Sequence, residues 1–354
     1  MTENKPAPAP AAIGDVLPNL VLPDATGSGV GMSQQSRAGR WLVLAFLEPE
    51  NLAAQSDALA AARKRVEACE GQLFTVLFSE PNTTLAGVDL FDRSKGGATF
   101  LLSAPKSGVA VISPEGQLAG QFDIEALEAA VAHCEAAFNS DTPETLSLAA
   151  PVLLIPDVLD PALCGHIMNF WQSAPKHKDE VASSQQGNEA VYSAIKRRTD
   201  AIIPDGELFG TIRHCITRRV LPLIDRAFRM QVASMEALRV GCYSAEDNGA
   251  FGRHRDNTTP HTAHRRFAMS INLNTDDYEG GDVRFPEFGR KSYRPATGSA
   301  VIFSCSLLHE ALPVTSGQRF GMFTFFTDTA GLEMEKRAAR ERDQLSRIQP
   351  VPQA

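Results

Sequence analysis

The sequence predicts two domains, an α/β domain followed by a domain built mainly from short β-strands. Three observations support this prediction. The 354 residues exceed the usual length of a single domain. Residues 13–138 alternate strand-like and helix-like segments, which is typical of an α/β layer fold. From Met235 onward, short apolar runs separated by turn residues indicate a sandwich or a jelly roll.

The overall composition is that of an ordinary globular protein, with 43% apolar and 21% charged residues. A net charge of -8 argues against nucleic acid as the main partner, because that binding depends on neutralising phosphates. The six cysteines show no Cys-x-x-Cys spacing, which indicates buried thiols in a reducing compartment. No apolar run approaches the ~20 residues that span a bilayer. We therefore expect a cytoplasmic protein that does not act on membranes.

The first half of the chain begins with a proline- and alanine-rich stretch, residues 1–12, which we interpret as a disordered tail and not a signal peptide. Hydrophobic periodicity then predicts two strands, a helix between them, a hairpin and a closing helix. These elements are expected at Trp41–Phe46, Leu73–Phe78, Asn51–Glu70, Gly108–Gly120 and Ile124–Phe138. Residues 139–150 are polar and are predicted to be a linker.

Residues 13–138 resemble the thioredoxin-like peroxiredoxins. The resemblance is carried by Gly14-Asp15-x-x-Pro18 and by the apolar run that ends in Phe46-Leu47-Glu48-Pro49. A working peroxiredoxin has Pro-x-x-x-Thr-x-x-Cys at this point, because its chemistry needs a thiolate. Here Ala53 replaces the threonine and Ser56 replaces the cysteine. We therefore expect a noncatalytic thioredoxin-fold module that either provides a docking or homodimer surface or merely completes the fold.

The second half of the chain, residues 151–330, is predicted to place two helices against a β-rich core. A strand is expected at Pro151–Pro156, and Asp160-Pro161 then begins a helix that ends near Gln172. A second helix is predicted at Leu208–Phe228, and Lys176–Asn188 is either a solvated loop or a cover over a substrate. The core strands are predicted at Ala237–Tyr243, Phe251–His254, Phe267–Leu273, Asp282–Phe285, Ala300–Phe303, Ala311–Val314 and Phe320–Phe326. Residues 331–354 are predicted to form a solvated helix and tail.

The His254-x-Asp256 pair is the strongest candidate for metal binding. On a strand, alternation puts both side chains on one face, where both can reach one cation. His309, which follows the apolar run Ser299–Ser304, is the best candidate for a third ligand. His261 and His264 are rival ligands, but Pro260 makes their segment a loop. Two imidazoles and one carboxylate on one side of a metal give the facial arrangement of non-haem Fe(II) oxygenases.

Residues 151–327 resemble the Fe(II)/2-oxoglutarate dioxygenases of the prolyl-hydroxylase branch. The residues that carry this resemblance are Tyr243, His254, Asp256, Glu279-Gly280-Gly281-Asp282, His309 and Arg319. The resemblance implies a double-stranded β-helix with a jelly-roll core, and a catalytic site formed by His254, Asp256, His309 and Arg319. The cofactors that it implies are Fe(II), 2-oxoglutarate and O2, with ascorbate in a supporting role.

The resemblance also implies individual roles. Arg319 would bind the distal carboxylate of 2-oxoglutarate, since a guanidinium offers two parallel charge-assisted hydrogen bonds. Tyr243 and Asn272 match positions that contact the same cosubstrate, and Arg265 matches a position that faces the substrate. Asp256 favours hydroxylation, because related halogenases lack this carboxylate.

We therefore expect a hydroxylase that acts on a C–H bond and releases succinate and CO2. The expected substrate is a prolyl or other residue in a protein or peptide. A small-molecule hydroxylase with the same chemistry, or a sensor that binds without turnover, is the alternative. A thiol peroxidase is disfavoured because Ser56 stands where the cysteine should be.

Overall fold

The computed structural model describes residues 9–32, 37–141, 143, 145–146, 148–176 and 196–348. The chain divides into two compact units, Met1–Thr145 (unit 1) and Leu146–Ala354 (unit 2). The predicted loop at Lys176–Asn188 lies outside the described residues from position 177 onward, as do the first eight residues of the predicted tail. Within the described ranges, no helix has both the length and the apolar character needed to cross a membrane.

Unit 1 contains a two-stranded hairpin and a mixed five-stranded sheet. The strands are β1 (Val21–Pro23) and β2 (Gly29–Gly31) in the hairpin, and β3 (Leu42–Leu47), β4 (Gln72–Leu77), β5 (Leu90–Phe91), β6 (Gly108–Ile112) and β7 (Leu118–Phe122) in the sheet. The sheet order is β5-β4-β3-β6-β7. Strand β4 runs parallel to both β3 and β5, whereas β6 is antiparallel to β3 and β7.

Helices cover both faces of this sheet. They are α1 (Leu52–Ala68), α2 (Gly96–Leu102) and α3 (Leu127–Ser140). Helices α1 and α3 bury residues such as Leu59 and Val131 against one face, and α2 buries Leu101 against the other. Strand β3 is consequently buried along its whole length. The α/β alternation was predicted, but α2 was missed because its two opening glycines are poor helix formers.

Within its described residues, unit 2 contains four α-helices. They are α4 (Pro161–Ser173), α5 (Glu207–Arg219), α6 (Leu221–Phe228) and α7 (Thr329–Ile348). Asp160 caps α4 as predicted, since its side chain accepts a hydrogen bond of 2.8 Å from the backbone N–H of Leu163. The single helix predicted at Leu208–Phe228 was wrong. Pro222 lacks an N–H group and its ring would clash with the preceding turn, so a new helix starts beside it.

The core of unit 2 consists of two antiparallel sheets. The larger sheet has the order β10-β12-β20-β14-β18-β8, with β11 and β15 also paired to β20, and the smaller has the order β17-β16-β19-β13-β9. Their strands are β8 (Val152–Ile155), β9 (Lys196–Arg197), β10 (Thr199–Ile202), β11 (Ser234–Met235), β12 (Arg239–Ser244), β13 (Ala250–His254), β14 (Phe267–Asn272), β15 (Tyr278–Gly280), β16 (Val283–Arg284), β17 (Ser292–Tyr293), β18 (Ala300–Ser304), β19 (His309–Ala311) and β20 (Val314–Thr327).

The two sheets pack through their apolar inner faces. Phe303 and Ala268 of the larger sheet share one buried cluster with Val283 of the smaller sheet and with Phe285. This arrangement confirms the predicted jelly-roll core. The prediction of a strand at Ala311–Val314 was wrong, because Pro313 cannot donate a ladder hydrogen bond and separates β19 from the long strand β20.

Candidate metal centre

His254 and His309 are brought together by strand pairing in the smaller sheet. Strand β13 ends at His254, strand β19 begins at His309, and these two residues face each other in the antiparallel register. Their ring centroids lie 4.2 Å apart. Asp256 follows two residues after His254, and its backbone N–H donates to the carbonyl of Cys305 at 2.9 Å. The chain turn after β13 therefore returns the carboxylate to the side of the two imidazoles.

The three side chains form a compact donor set. One carboxylate oxygen of Asp256 lies 3.5 Å from Nε2 of His254, and the other lies 3.4 Å from Nε2 of His309. One possible ligand atom from each of the three residues lies within 4.8 Å of the other two. Within the described part of the chain, this is the one His, Cys, Asp or Glu group with that property. Two imidazole nitrogens and one carboxylate oxygen suit a non-haem iron.

The imidazoles are held in the tautomer that metal binding requires. Nδ1 of His254 lies 2.7 Å from the carbonyl of Gly252, and Nδ1 of His309 lies 3.0 Å from the carbonyl of Leu307. A carbonyl oxygen can only accept, so Nδ1 carries the proton in each ring. In the neutral form of each ring the lone pair is then on Nε2, and both Nε2 atoms face Asp256.

The protonation states of His309 and Asp256 also favour the binding of a cation. Burial lowers the pKa of His309, and this effect outweighs the opposing influence of Asp256. Burial alone would raise the pKa of Asp256, but His309, His254 and Arg265 together lower it. Near neutral pH Asp256 is thus an ionised carboxylate and His309 a neutral imidazole, which are the states that coordinate a metal.

The donor set lies on the wall of a cavity of about 290 Å³ inside unit 2. Tyr243, Arg265 and Arg319 line the same cavity. The larger sheet supplies Arg319 and Tyr243 from neighbouring strands, where they are opposite each other in the β12–β20 register. The structure therefore brings the predicted metal ligands and three further predicted site residues around one space.

Arg319 is a charged residue that is almost completely buried in unit 2, with 2% of its surface exposed. Its guanidinium donates to the carbonyl of Gly281 at 2.7 Å, to Oδ1 of Asn272 at 3.1 Å and to Oγ of Ser270 at 3.4 Å. Its Nε has no hydrogen-bond partner in the structure, and no carboxylate forms an ion pair with it among the residues described. A buried cation in this situation fits an anionic ligand.

The Glu279-Gly280-Gly281-Asp282 motif explains how the chain can approach Arg319. Gly280 has a φ of +72°, and a Cβ at this position would lie 2.3 Å from the carbonyl oxygen of Pro313. Gly281 has a φ of +70°, and a Cβ here would press on the side chain of Arg319 at 3.0 Å. Both positions therefore require glycine, and the turn aims the Gly281 carbonyl at the guanidinium.

Tyr243 is supported by a residue that was not predicted from the sequence. Arg198 donates to the Tyr243 hydroxyl at 3.1 Å, and its Cζ lies 4.3 Å from the centroid of the Phe323 ring. Two hydrogen bonds of 2.5 and 2.7 Å join Arg198 to Asp200. Burial alone would lower the pKa of Arg198, but Asp200 and Tyr243 raise it, so Arg198 stays charged. Arg198 immediately precedes β10 and lies two residues before Asp200, and this spacing was the signal available in the sequence.

Asn272 and Arg265 have different surroundings. Asn272 is not among the residues that line the cavity; its side chain accepts from Arg319 and donates to the carbonyl of Pro295. Its contact with the cosubstrate stays a prediction, and its observed part is to hold Arg319.

Arg265 lines the cavity, donates to both carboxylate oxygens of Glu236 and stacks 3.8 Å over the ring of Phe325. Its contact with substrate also stays a prediction.

The rival histidines lie outside the donor set. His264 is buried, and its Nε2 is 3.2 Å from Glu236 and 3.9 Å from Glu335. Neither His261 nor His264 lines the cavity. The two histidines therefore do not join the group formed by His254, Asp256 and His309, in agreement with the prediction that their loop disfavours metal binding.

Comparisons with known proteins agree with this geometry. Residues 238–327 match the family described as the 2OG-Fe(II) oxygenase superfamily. A PKHD-type hydroxylase of Delftia acidovorans is 36% identical over 100 residues, which are 26% of this chain and 44% of the relative. A PKHD-type hydroxylase of Pseudomonas putida is 26% identical over 165 residues, which are 42% of this chain and 69% of the relative. The match thus spans less than half of the first relative's length.

Among solved structures, a prolyl hydroxylase in complex with a hypoxia inducible factor oxygen degradation domain peptide fragment from Trichoplax adhaerens aligns at 16% identity. Its TM-score is 0.43, and the alignment covers 52% of this chain and 86% of that chain. The sequence match is the stronger finding, since it includes the metal donor set and Arg319. Residues 238–327 are thus similar to the 2OG-Fe(II) oxygenases, a family whose cofactors are Fe(II), 2-oxoglutarate and O2.

Proposed function

We propose that this chain is a dioxygenase that uses Fe(II) and 2-oxoglutarate to hydroxylate a C–H bond in a protein or peptide. One observation carries the proposal: the His254, Asp256 and His309 donor set shares a cavity with Arg319, a buried guanidinium that lacks a carboxylate partner among the described residues. The donor set fits the metal, and the guanidinium fits the distal carboxylate of the cosubstrate.

Each residue has a distinct part in this proposal. His254, Asp256 and His309 would hold the iron on one side and leave the cavity side open. Arg319 would bind and orient 2-oxoglutarate, and Gly281 and Asn272 keep its guanidinium in place. The bound iron and cosubstrate would reduce O2 and convert the C–H bond to an alcohol, with succinate and CO2 as coproducts.

Tyr243 and Arg198 would act together on the cosubstrate. Because Arg198 donates to the Tyr243 oxygen, the hydroxyl proton of Tyr243 is left to point elsewhere. The Tyr243 ring lies beside both guanidinium groups, with Arg319 5.3 Å from its centroid. Tyr243 would therefore donate its proton to a carboxylate of 2-oxoglutarate, and Arg198 would fix the position of Tyr243.

The proposal is tested by measuring succinate from 2-oxoglutarate in the presence of Fe(II), O2 and ascorbate. Wild type is expected to form succinate, slowly without substrate and faster when a substrate is added. His309→Ala is expected to lose this activity. Arg319→Lys is expected to raise the KM for 2-oxoglutarate more than it lowers kcat, because a lysine cannot form the same fork. Succinate formation that does not depend on His309 would contradict the proposal.

The substrate is the least constrained part of the proposal. The relatives named above are called hydroxylases, and their names specify no substrate. A small-molecule substrate would use the same donor set and the same Arg319. A sensor that binds 2-oxoglutarate without turnover is distinguished by the succinate assay, since it would bind the cosubstrate but form no succinate with any peptide or metabolite fraction.

For unit 1 we propose a thioredoxin-like module without peroxidase activity. Its strand order β5-β4-β3-β6-β7, with helices on both faces, supports this interpretation. Ser56, which stands where a peroxidatic cysteine would be, lies on α1 and donates to the carbonyl of Ala53 at 3.1 Å. Homodimer formation through this unit stays a prediction, and sedimentation of the full chain beside residues 146–354 would test it.

A further inference from the structure

The pairing of β13 with β19 ends at the predicted metal ligands. The pair at this end is His254 with His309, and the register shifts between Phe251 and His254. Asp256 lies beyond the end of β13, in the turn that follows. Strand pairing therefore fixes the two histidines relative to each other, whereas the position of Asp256 depends on contacts outside the ladder.

Two contacts join the turn after β13 to the segment that precedes β19. The backbone N–H of Asp256 donates to the carbonyl of Cys305 at 2.9 Å. The side-chain amide of Asn257 donates to the hydroxyl of Ser306 at 2.8 Å. Neither of these two contacts reaches the residue before His309, so a further contact is needed to hold the start of β19 against the turn.

Glu287, on a short 3-10 helix after β16, supplies this contact. One oxygen of its carboxylate accepts from the guanidinium of Arg255 at 2.6 Å. The other oxygen accepts from Arg255 at 3.3 Å and from the backbone N–H of Leu308 at 3.1 Å. Arg255 also donates to the carbonyl of Ser306. One carboxylate thus binds the turn and the start of β19 at the same time.

The two groups that Glu287 holds are chain neighbours of the predicted ligands. Arg255 lies between the first two ligands, and Leu308 immediately precedes the third, His309. A metal binds well only when all of its donor atoms lie at the required distances. The relative position of these two segments therefore decides how well the three ligands bind one ion together.

The ion pair between Arg255 and Glu287 is not a buried one. The two side chains are 36% and 41% exposed. Exposed ion pairs contribute little to the free energy of unfolding, because water screens the charges and both side chains lose freedom. A contribution to stability and a contribution to ligand position can therefore be measured separately at this pair.

We infer that Glu287 is a positioning residue of the metal centre. Together with Arg255 it sets the position of Asp256 relative to His309, and thereby the affinity of the site for a divalent metal. The inference rests on the proposed function and adds a residue that belongs neither to the donor set nor to the cavity lining.

The test measures the dissociation constant of Mn(II) for the metal-free full-length protein, from the EPR signal of unbound Mn(II). We expect wild type to bind Mn(II) and His309→Ala to bind it far more weakly. Glu287→Ala is expected to weaken binding about tenfold. Glu287→Gln is expected to weaken it less, because its amide oxygen can still accept from the N–H of Leu308 but its NH2 group cannot accept from Arg255.

Glu333→Ala is the matched control. Glu333 forms an exposed ion pair of 2.8 Å with Lys336 on α7, and neither residue lines the cavity. This variant should bind Mn(II) as tightly as wild type. Thermal unfolding of the metal-free proteins provides the second measurement, and the Tm of Glu287→Ala should lie within about 3 °C of that of wild type.

The outcomes separate the inference from the proposed function. If wild type binds Mn(II) and Glu287→Ala binds it equally tightly, or if Glu333→Ala weakens binding as much as Glu287→Ala, the inference is overturned and the proposed function is unaffected. If both Glu287 variants weaken binding alike and both unfold well below Glu333→Ala, the pair serves stability, which also overturns the inference. If wild type does not bind Mn(II), or His309→Ala binds it as tightly, the proposed function and the inference fail together.

Discussion

Arg319 holds a charge deep inside unit 2 with no carboxylate beside it among the described residues. Leaving such a group uncompensated is costly, so its retention points to a ligand that completes the site. The sequence indicated this residue because it follows His309 by ten positions within the motif set. For Arg198 the sequence offered only its spacing from Asp200, because its contact with Tyr243 depends on the pairing of β10 with β12.

At the residue scale, we predict that 2-oxoglutarate stabilises the wild type through Arg319. With Mn(II) as a redox-stable metal, 2-oxoglutarate at about 100 times its Kd should add about 2.7 kcal/mol to the free energy of unfolding of unit 2. Arg319→Met, which keeps a long side chain but removes the charge, should show little of this gain. Thermal unfolding with and without 2-oxoglutarate measures the difference.

The matched control is Arg290→Met, at an exposed position outside the cavity. It should show the same gain on adding 2-oxoglutarate as the wild type. An equal gain in Arg319→Met would mean that the cosubstrate does not depend on this guanidinium.

At the level of elements, local chemistry decided which predictions succeeded. His254 and Asp256 were predicted as ligands from strand alternation, a local property. Strand β13 does end at His254 as predicted, but Asp256 lies in the turn that follows. The start of β19 at His309 was not found, because it depends on pairing with β13 across the sheet. The break between α5 and α6 was not predicted, although its cause, Pro222, is a local feature of the sequence.

The cap of α4 provides a stability prediction for unit 2. Asp160→Ala removes the hydrogen bond to the backbone N–H of Leu163 and should lower the free energy of unfolding by about 1 kcal/mol. Asp205→Ala is the control, since Asp205 is exposed and its side chain makes no hydrogen bond within the described structure. Urea unfolding measures both variants. Equal losses in the two would show that the Asp160 cap contributes nothing particular.

For the whole molecule, the order of an α/β unit followed by a jelly-roll unit followed from the change in strand length and spacing along the chain. The placement of side chains around the cavity could not be predicted from this pattern. Residues from β10, β12, β13, β19 and β20 meet there only after both sheets have formed.

Unit 1 should contribute no thiol chemistry to the full chain. Both cysteines of this unit, Cys69 and Cys134, are buried, and burial raises the pKa of each thiol, to about 12 for Cys134. The reactive thiolate is therefore scarce at neutral pH. We predict no peroxide consumption by the metal-free protein with a dithiol reductant, as followed by the loss of peroxide. Consumption that is abolished by Cys69→Ser would contradict this prediction.

The central claim is that His254, Asp256 and His309 hold an iron to which 2-oxoglutarate binds with the help of Arg319. The most direct test is the visible absorption of anaerobic protein with Fe(II), before and after adding 2-oxoglutarate. Wild type should develop a charge-transfer band, His309→Ala should develop none, and Arg319→Ala should need at least about tenfold more 2-oxoglutarate. A wild-type protein that never develops the band, or a band that is equal in all three proteins, would contradict the claim.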